Sequence, residues 1–426
     1  MGFALFSMFF GAGNVVFSPY LGMGSGPQWL LGFLCYYIAD VGLAMVALFA
    51  LLKCGGSTNM MEKIGPMATA LLLSAIVVCI GPLLAIPRTG ATTYELAVAP
   101  LTGAISPFVF SVLYFALVLV LCLKEASVVD IVGKFLTPAL VGGLLVLIVV
   151  GMIKPIGPIA ETAALENVPK EGIVSGYQTM DVLATLIFGY IVLKSASDKG
   201  YEGRQQTFAV AGAGMVAGLG LMVVYMGLSY LGATVSSVYS PGIDRSQLVL
   251  AIVEQLMGHS GLLLFAVIVG LACLTTAVGL TSAAATFFES LFKGRIKYQT
   301  LVILICVCSA AFANFGLDTI VSIASPILNV VYPPTLTVIV LSFFKDRLPE
   351  TGVHKMAAFG ALLFSLLETL AGYGLPFGFV KVLPFAGLGF GWLVPALAFG
   401  LLGLVFCRVF KKAPAQKGGC GKTAEN

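Results

Sequence analysis

The first residues of this sequence that could do chemistry are Gly11, Gly13 and Asn14, because they interrupt a long apolar stretch. Residues 1–39 carry no charged side chain, which is typical of a helix embedded in lipid. Glycine permits unusual backbone angles and Asn tolerates them, so this cluster predicts a break in the helix. A break frees amides that suit a carboxylate and carbonyls that suit a cation, and lipid tolerates these groups only where they line a protein cavity. The alternative is that the glycines are small residues at a helix–helix contact.

Thr275 and Thr276 form a second candidate site, since two adjacent hydroxyl groups lie in the middle of the apolar segment 260–288. Hydroxyl and carbonyl oxygens are the ligands that hard cations prefer. The alternative is that each threonine donates its hydroxyl proton to a carbonyl of its own helix.

Ionisable side chains within apolar segments are a third group, and they usually face the protein interior or a transport pathway. Arg88 lies about 22 residues, or roughly 33 Å, along its helix, so we expect it near the outer surface of the membrane. Asp181 lies early in a segment that runs inward, which places it on the same side and makes the two residues a candidate gate. The alternative for Arg88 is a side chain that extends to the membrane interface. Asp40 and Glu368 are assigned to helix packing or gating.

The elements that must position these residues are membrane helices. Of the 426 residues, 59% are hydrophobic and only 10% are charged, and the mean hydropathy is +1.04. Soluble domains usually carry about 25% charge. A spanning helix needs about 20 apolar residues, and about twelve segments meet that requirement. They are 2–21, 29–52, 66–94, 107–123, 128–153, 175–193, 207–232, 260–288, 298–317, 319–344, 355–376 and 386–407.

The orientation follows from the basic residues, which concentrate on the cytoplasmic side of membrane proteins. If the segments alternate from a cytoplasmic N-terminus, eighteen of the 23 Lys and Arg residues fall on the inside. This predicts a multi-pass protein of the cell membrane with both termini in the cytoplasm. No basic region precedes the first apolar stretch, so a cleavable signal peptide is not expected.

Transporters with broken helices are often built from two inverted repeats with corresponding breaks. Five segments after the first lies the sixth, in which Phe188, Gly189 and Tyr190 stand about midway. The pattern predicts an all-α polytopic membrane protein with a five-plus-five inverted repeat, broken helices 1 and 6, and two extra helices. The expected divisions are 1–153 for the first repeat, 175–344 for the second, 355–411 for the two additional helices and 412–426 for a cytoplasmic tail.

Four stretches together resemble the branched-chain amino acid:cation symporter family. They are GFALFSMFFGAGNVVF (2–17), GPLLAIPRTGATTYEL (81–96), DVLATLIFGYIV (181–192) and LACLTTAVGL (271–280). That family is similar to the leucine-transporter fold, in which the first and sixth helices unwind at mid-membrane. The resemblance implies import of leucine, isoleucine and valine driven by a cation gradient, with Na⁺ as the expected ion.

The same resemblance implies the substrate-binding residues. The backbone amides of Ala12 and Gly13 would hold the substrate carboxylate, and Asn14 falls where some members of the fold bind sodium. Phe188 and Gly189 would line the substrate pocket.

A second sodium site is also implied by the resemblance. Its ligands would be the carbonyl groups of Ser7, Phe10 and Ala272 together with the hydroxyl groups of Thr275 and Thr276.

Other classes of function fit the sequence less well. A proton-coupled amino acid permease of the same fold, with Asp181 as the proton carrier, is the main alternative. An enzyme is not expected, since no HExxH motif and no nucleophile paired with a base is present, and the nine cysteines form no metal motif. We therefore expect no cofactor besides the coupling ion, and the expected partners are a small-molecule substrate and membrane lipid, without nucleic acid or an obligate protein partner.

Overall fold

The computed structural model describes residues 2–123, 127–198, 200–348 and 350–410, and all regular secondary structure in those ranges is helical. Six helices in these ranges are long and apolar enough to cross a membrane, and four more are shorter and apolar. Joined across the breaks described below, the helices form twelve membrane segments. The predicted tail, 412–426, lies outside the described residues.

The segments are numbered α1 to α12 in chain order, and a broken segment has two halves, a and b. They are α1a (Gly2–Phe9), α1b (Ala12–Ser25), α2 (29–54), α3 (Pro66–Thr102), α4 (Pro107–Leu123), α5 (Ser127–Ile153), α6a (Val168–Thr179), α6b (Asp181–Asp198), α7 (Gly203–Ala233), α8 (Arg245–Leu291), α9 (Tyr298–Ala313), α10 (Leu317–Ser342), α11 (Thr351–Gly372) and α12 (Leu393–Phe410).

The first segment breaks at Phe10 and Gly11, as the glycines predicted. Gly11 is extended, with φ −104° and ψ 175°, and α1b starts at the next residue. The Phe10 N–H still donates to the Phe6 carbonyl at 2.8 Å, and the Gly11 N–H donates to the Phe9 carbonyl at 3.1 Å. The first N–H groups of α1b have no acceptor within their own helix, so they are available to a ligand.

The sixth segment breaks at Met180, which takes left-handed angles of φ 67° and ψ 15° between α6a and α6b. The sequence placed the start of this segment at 175, but α6a starts at Val168, within the stretch 154–174 that reads as a polar connection. Its start is fixed by Asn167, whose side chain accepts the Lys170 N–H at 3.1 Å, and by a proline in the first turn.

The two breaks are five segments apart, so the five-plus-five arrangement with broken helices 1 and 6 is confirmed, and α11 and α12 follow it. Two further irregularities were not predicted. Helix α3 loses its helical backbone at Gly81, with φ −95° and ψ −125°, and α8 kinks at Gly258, with φ 66°.

Helices α1b and α7 approach each other closely enough for backbone contact. A Cβ atom on Gly22 would overlap the carbonyl oxygen of Ser229, and one on Gly232 would overlap that of Pro19. Small residues allow this approach in membrane helices. The two helices are therefore packed backbone to backbone on one side of the first break.

Candidate functional site

The breaks in α1 and α6 meet at a small buried cavity. Twelve residues from α1, α3, α6 and α8 line it: Gly11, Ile80, Ala85, Arg88, Thr89, Thr179, Met180, Asp181, Ala184, Phe188, Thr276 and Leu280. Its volume, measured as room for the centres of water molecules, is about 40 Å³. Ligand pockets usually measure about 300–1,000 Å³, so the helices are nearly closed around the site in this conformation.

The lining of the cavity has a polar part and an apolar part. Arg88, Asp181 and Thr179 bring charge and hydroxyl chemistry, whereas Phe188 and Leu280 belong to an apolar wall. This division suits a small molecule with charged groups at one end and an apolar group at the other.

Asn14 closes the break in α1. Its side-chain amide donates to the Phe9 carbonyl at 2.9 Å and to Asp181 Oδ2 at 3.2 Å, and it also donates to the Tyr225 hydroxyl. The side chain is fully buried. Asn14 thus satisfies a carbonyl that the break frees and connects α1 with α6 and α7.

Arg88 closes the break in α6. Its guanidinium group donates to the Gln178 carbonyl through Nη1 and to the Thr179 carbonyl, at 3.1 Å, through Nη2. The same group lies over the Phe17 ring, with Cζ 5.7 Å from the ring centre. A cation at the last carbonyls of a helix is stabilised by the helix dipole. Arg88 is only 6% exposed and lies level with the breaks, which differs from the expected position near the outer surface.

The sequence predicted that Arg88 and Asp181 form a gate. Both line the cavity, but no ion pair joins them in the part of the chain that the structure describes. The reason is that each already has another partner, the α6a carbonyls for Arg88 and the Asn14 amide for Asp181.

Asp40 lies beside the break in α6, on a π-helical turn of α2. Its Oδ1 accepts the Thr179 hydroxyl proton at 2.8 Å, and its carboxyl group interacts electrostatically with that of Asp181. Its Oδ2 is buried without a hydrogen-bond partner among the described residues. Two buried carboxyl groups are therefore near neighbours, whereas Glu368, on α11, does not line the cavity.

The residues named as a second sodium site come together only in part. The hydroxyl groups of Thr275 and Thr276 both donate to the Ala272 carbonyl, at 2.9 and 3.0 Å. Both threonines therefore form the hydrogen bonds within their own helix that the sequence offered as the alternative. These bonds also bring the two hydroxyl oxygens and the carbonyl oxygen into one cluster. Phe10 lies at the break and stacks on Phe6 with 5.6 Å between ring centres, and its neighbour Gly11 shares the cavity with Thr276.

Ser7 lies in α1a, about one turn before the break, so its carbonyl group belongs to the last turn of α1a. No group of three or more His, Cys, Asp or Glu side chains that could hold a metal occurs in the described ranges. A cation here would instead be held by carbonyl and hydroxyl oxygens.

Some of the residues predicted to bind substrate lie at the cavity, and others pack against neighbouring helices. Ala12 and Gly13 are the first two residues of α1b, and a Cβ on Gly13 would lie 3.0 Å from Cζ and Nη2 of Arg88. Phe188 lines the cavity, but Gly189 does not, because it packs against Leu51 of α2.

Sequence reasoning missed Thr89, Met180 and Ala184, which also line the cavity. Ala184 stands four residues before Phe188 and therefore shares its helix face. The Gly81-Pro82 pair could have indicated the irregular turn of α3 that precedes Arg88, since such pairs commonly interrupt helices.

Two interrupted helices, five segments apart and facing each other across a buried, partly polar cavity, define a membrane transporter of the inverted-repeat class. Residues 1–410 match the family described as branched-chain amino acid transport protein, and the chain belongs to that family. This family consists of transport proteins, which confirms that the chain is not an enzyme.

Curated relatives match almost the whole chain. The chain is 37% identical to the branched-chain amino acid transport system 2 carrier protein of Pseudomonas aeruginosa, over 97% of this chain and 96% of that one. It is 34% identical to the branched-chain amino acid permease BrnQ of Escherichia coli (strain K12), over 96% and 95% of the two chains.

Solved structures with low identity share the fold. The nucleobase-cation-symport-1 family transporter Mhp1, in a closed conformation with bromovinylhydantoin bound, matches with a TM-score of 0.65 and 15% identity, over 96% of this chain and 93% of that one. A Na⁺-coupled sialic acid symporter in an outward-open state matches with a TM-score of 0.61 and 14% identity, over 95% and 89%.

Proposed function

We propose that this protein is a secondary active symporter of the cell membrane that imports leucine, isoleucine and valine by alternating access, with Na⁺ as the coupling ion. Both termini lie in the cytoplasm. The first repeat covers 1–153, and the second runs to 344 from the observed start of α6a at Val168. The observation that carries the proposal is the meeting of the two breaks, at Gly11 and Met180, around a cavity with a charged part and an apolar part.

The substrate carboxylate binds at the start of α1b in this proposal. The N–H groups of Ala12 and Gly13 have no acceptor within their helix, and the positive end of the helix dipole favours an anion. Phe188, Leu280 and Ile80 offer the apolar surface for a branched side chain. Because a hydrophobic pocket distinguishes one methylene group by only about 1–3 kcal/mol, overlap among leucine, isoleucine and valine follows.

The coupling cation binds between α1 and α8 in this proposal, at the carbonyl groups of Ser7 and Phe10 and at the Ala272, Thr275 and Thr276 oxygens. Support comes from the convergence of both threonine hydroxyls on one carbonyl and from the position of Thr276 on the cavity beside the α1 break. An ion there would favour one arrangement of the two helices. It would couple to substrate binding through that arrangement, without touching the substrate.

A proton is the alternative coupling ion, and one observation favours it. Asp40 and Asp181 are buried and interact electrostatically, and Oδ2 of Asp40 has no hydrogen-bond partner among the described residues. Two neighbouring buried carboxyl groups cannot both ionise without a large energetic cost, so one proton on the pair is a stable arrangement.

The test is uptake of radiolabelled leucine by purified protein in liposomes. One set of vesicles has an inward Na⁺ gradient at equal pH, and a matched set has a pH gradient without Na⁺. We expect accumulation with the Na⁺ gradient only, with competition by isoleucine and valine but not by lysine or glutamate. Accumulation that follows pH and ignores Na⁺ would select the proton alternative, and strong inhibition by lysine or glutamate would contradict the substrate class.

A further inference from the structure

We propose that the Arg88 side chain exchanges partners when substrate binds. It donates hydrogen bonds to the carbonyl groups of the α6 break when no substrate is bound, and to the substrate carboxylate when a substrate is bound. This proposal rests on the proposed function, because it assumes a substrate with both an ammonium and a carboxylate group.

The contacts of Arg88 are those of a substrate ammonium group. Its guanidinium donates to the last two carbonyls of α6a, those of Gln178 and Thr179, where α6a ends at the break. Carbonyls that an interrupted helix leaves free in a membrane protein are suited to a cationic group. Arg88 therefore satisfies the two groups that an incoming ammonium would use.

The groups that hold Arg88 are neutral carbonyl groups, which bind a guanidinium group less strongly than a paired carboxylate would. No ion pair includes Arg88 in the described ranges: Asp181 attracts it electrostatically but is bonded to Asn14 and lies beyond ion-pair distance. Hydrogen bonds to neutral carbonyls are weaker than bidentate bonds to a carboxylate, which guanidinium groups match in geometry. A substrate carboxylate is thus a stronger partner than the one that Arg88 has in this conformation.

The position of Arg88 relative to α1b completes the argument. The site of a Cβ on Gly13 lies 3.0 Å from Cζ and Nη2 of Arg88, so the guanidinium lies against the first turn of α1b. A cation is favoured at the end of α6a but disfavoured at the start of α1b by the helix dipoles. A carboxylate at that start would be held by backbone amides on one side and by the guanidinium on the other.

The exchange gives a reason why the site would require a zwitterion. An amine without a carboxylate must displace Arg88 from the carbonyls without offering it a new partner, which would leave a buried charge unpaired. A substrate with both groups replaces every contact that Arg88 gives up. Arg88 therefore excludes simple amines and selects α-amino acids.

The experiment compares two ligands on purified, detergent-solubilised protein: leucine, and 3-methylbutylamine, which is leucine without its carboxylate. The wild-type protein should bind leucine tightly and the amine only weakly. Arg88→Gln and Arg88→Met should weaken leucine binding by about 100-fold, because a charged bidentate contact is lost. Both variants should bind the amine at least about tenfold more tightly than the wild-type protein does, because the carbonyls become accessible.

The matched control is Arg245→Gln. Arg245 also lies over the Phe17 ring, at 5.9 Å, but it pairs with Asp318 and does not line the cavity. It should leave the affinities for leucine and for the amine, and so their ratio, unchanged. Thermal unfolding and size-exclusion chromatography establish that each Arg88 variant is folded.

A loss of binding of both ligands by a similar factor in folded Arg88 variants would show that Arg88 only braces α3 against α6, and would overturn the proposal. Unchanged leucine affinity in those variants would overturn it too. If the wild-type protein binds no leucine with Na⁺ or at any pH, the proposed function fails instead. The amine then still decides whether Arg88 blocks the α6 carbonyls, since a gain of amine binding supports that role and no gain refutes it.

Discussion

The breaks in α1 and α6 lie side by side but are closed in different ways. The α1 break contains a glycine, Gly11, and the Asn14 side chain of the same segment donates to the Phe9 carbonyl. The α6 break lies at Met180, a residue without special backbone freedom, and Arg88 of α3 bonds to its carbonyls. The α1 break is closed within its own segment and does not depend on a side chain of another helix. The α6 break is closed by a charged side chain of another helix, and it would lose that closure if Arg88 bound a substrate carboxylate instead.

The largest effect should come from Gly13→Val, because residue 13 lies where the two breaks meet. A Cβ there would be 3.0 Å from the Arg88 guanidinium and 3.1 Å from the Phe17 ring, so valine displaces the group that closes the α6 break as well as crowding the start of α1b. We expect leucine uptake to fall by at least about 100-fold while the protein still inserts. The measurement is uptake normalised to the amount of folded protein.

The control for this change is Gly212→Val, on α7, where a Cβ meets no atom within 4 Å. It should keep near-normal uptake. Near-normal leucine binding by folded Gly13→Val would show that the meeting point of the two breaks is not the carboxylate site.

A smaller effect is expected for Asn14→Ala, which opens only the α1 break. The Phe9 carbonyl keeps only the Gly11 N–H, and the buried Asp181 Oδ2 loses the Asn14 amide. Because losing the partner of a buried polar group costs about 1–3 kcal/mol, both stability and leucine affinity should fall, the affinity by about tenfold. Asn314→Ala is the matched control, since Asn314 also donates to a helix carbonyl, that of Ala310, at 2.6 Å, and does not line the cavity. Thermal unfolding and leucine titration are the measurements. Equal loss of affinity in both variants would mean that Asn14 matters only for stability.

The smallest effect should come from the threonine pair, which touches neither break directly. Thr275→Ala with Thr276→Ala should raise the Na⁺ concentration for half-maximal leucine binding by about fivefold, with weaker leucine binding mainly at low Na⁺, because a bound ion loses two oxygens. Thr281→Ala, a buried threonine of the same helix that does not line the cavity, should change little. An unchanged Na⁺ dependence in the double variant would refute this ion site. It would favour the alternative in which the coupling ion is a proton bound by Asp40 and Asp181.

The same contrast explains what could be predicted from the sequence. The α1 break was predictable because its cause is local: Gly11 and Gly13 permit it, and Asn14 adds the polar side chain that closes it. For α6, the sequence predicts a break near Phe188 and Gly189, because a glycine is the usual signal of a break. In the structure it falls at Met180, where long-range contacts hold a residue that alone would favour a continuous helix.

The start of α6a was missed because its polar residues read as a connection, although Asn167 and the following proline carry the ordinary signals of a helix start. The depth of Arg88 differs from the prediction for another reason. The sequence predicts that this segment ends at 94, whereas α3 extends to Thr102, so that Arg88 lies well inside it and not at its end. The polar partners of Arg88 are distant in sequence, and spacing along one helix cannot reveal them.

The backbone contact between α1b and α7 has a mechanical consequence. Gly22 and Gly232 bring the two backbones so close together that sliding one helix along the other would force atoms into overlap. The two helices must therefore move as one rigid unit. Helix α1a touches α7 through side chains such as Phe6, which lies 3.0 Å from the Cβ position of Gly220 and can change rotamer. The flexible joint at Phe10 and Gly11 then makes α1a a short lever, with eight described residues on its arm. At about 1.5 Å per residue that arm is about 12 Å long, so a swing of about 20° displaces its far end by about 4 Å, more than the width of a water molecule.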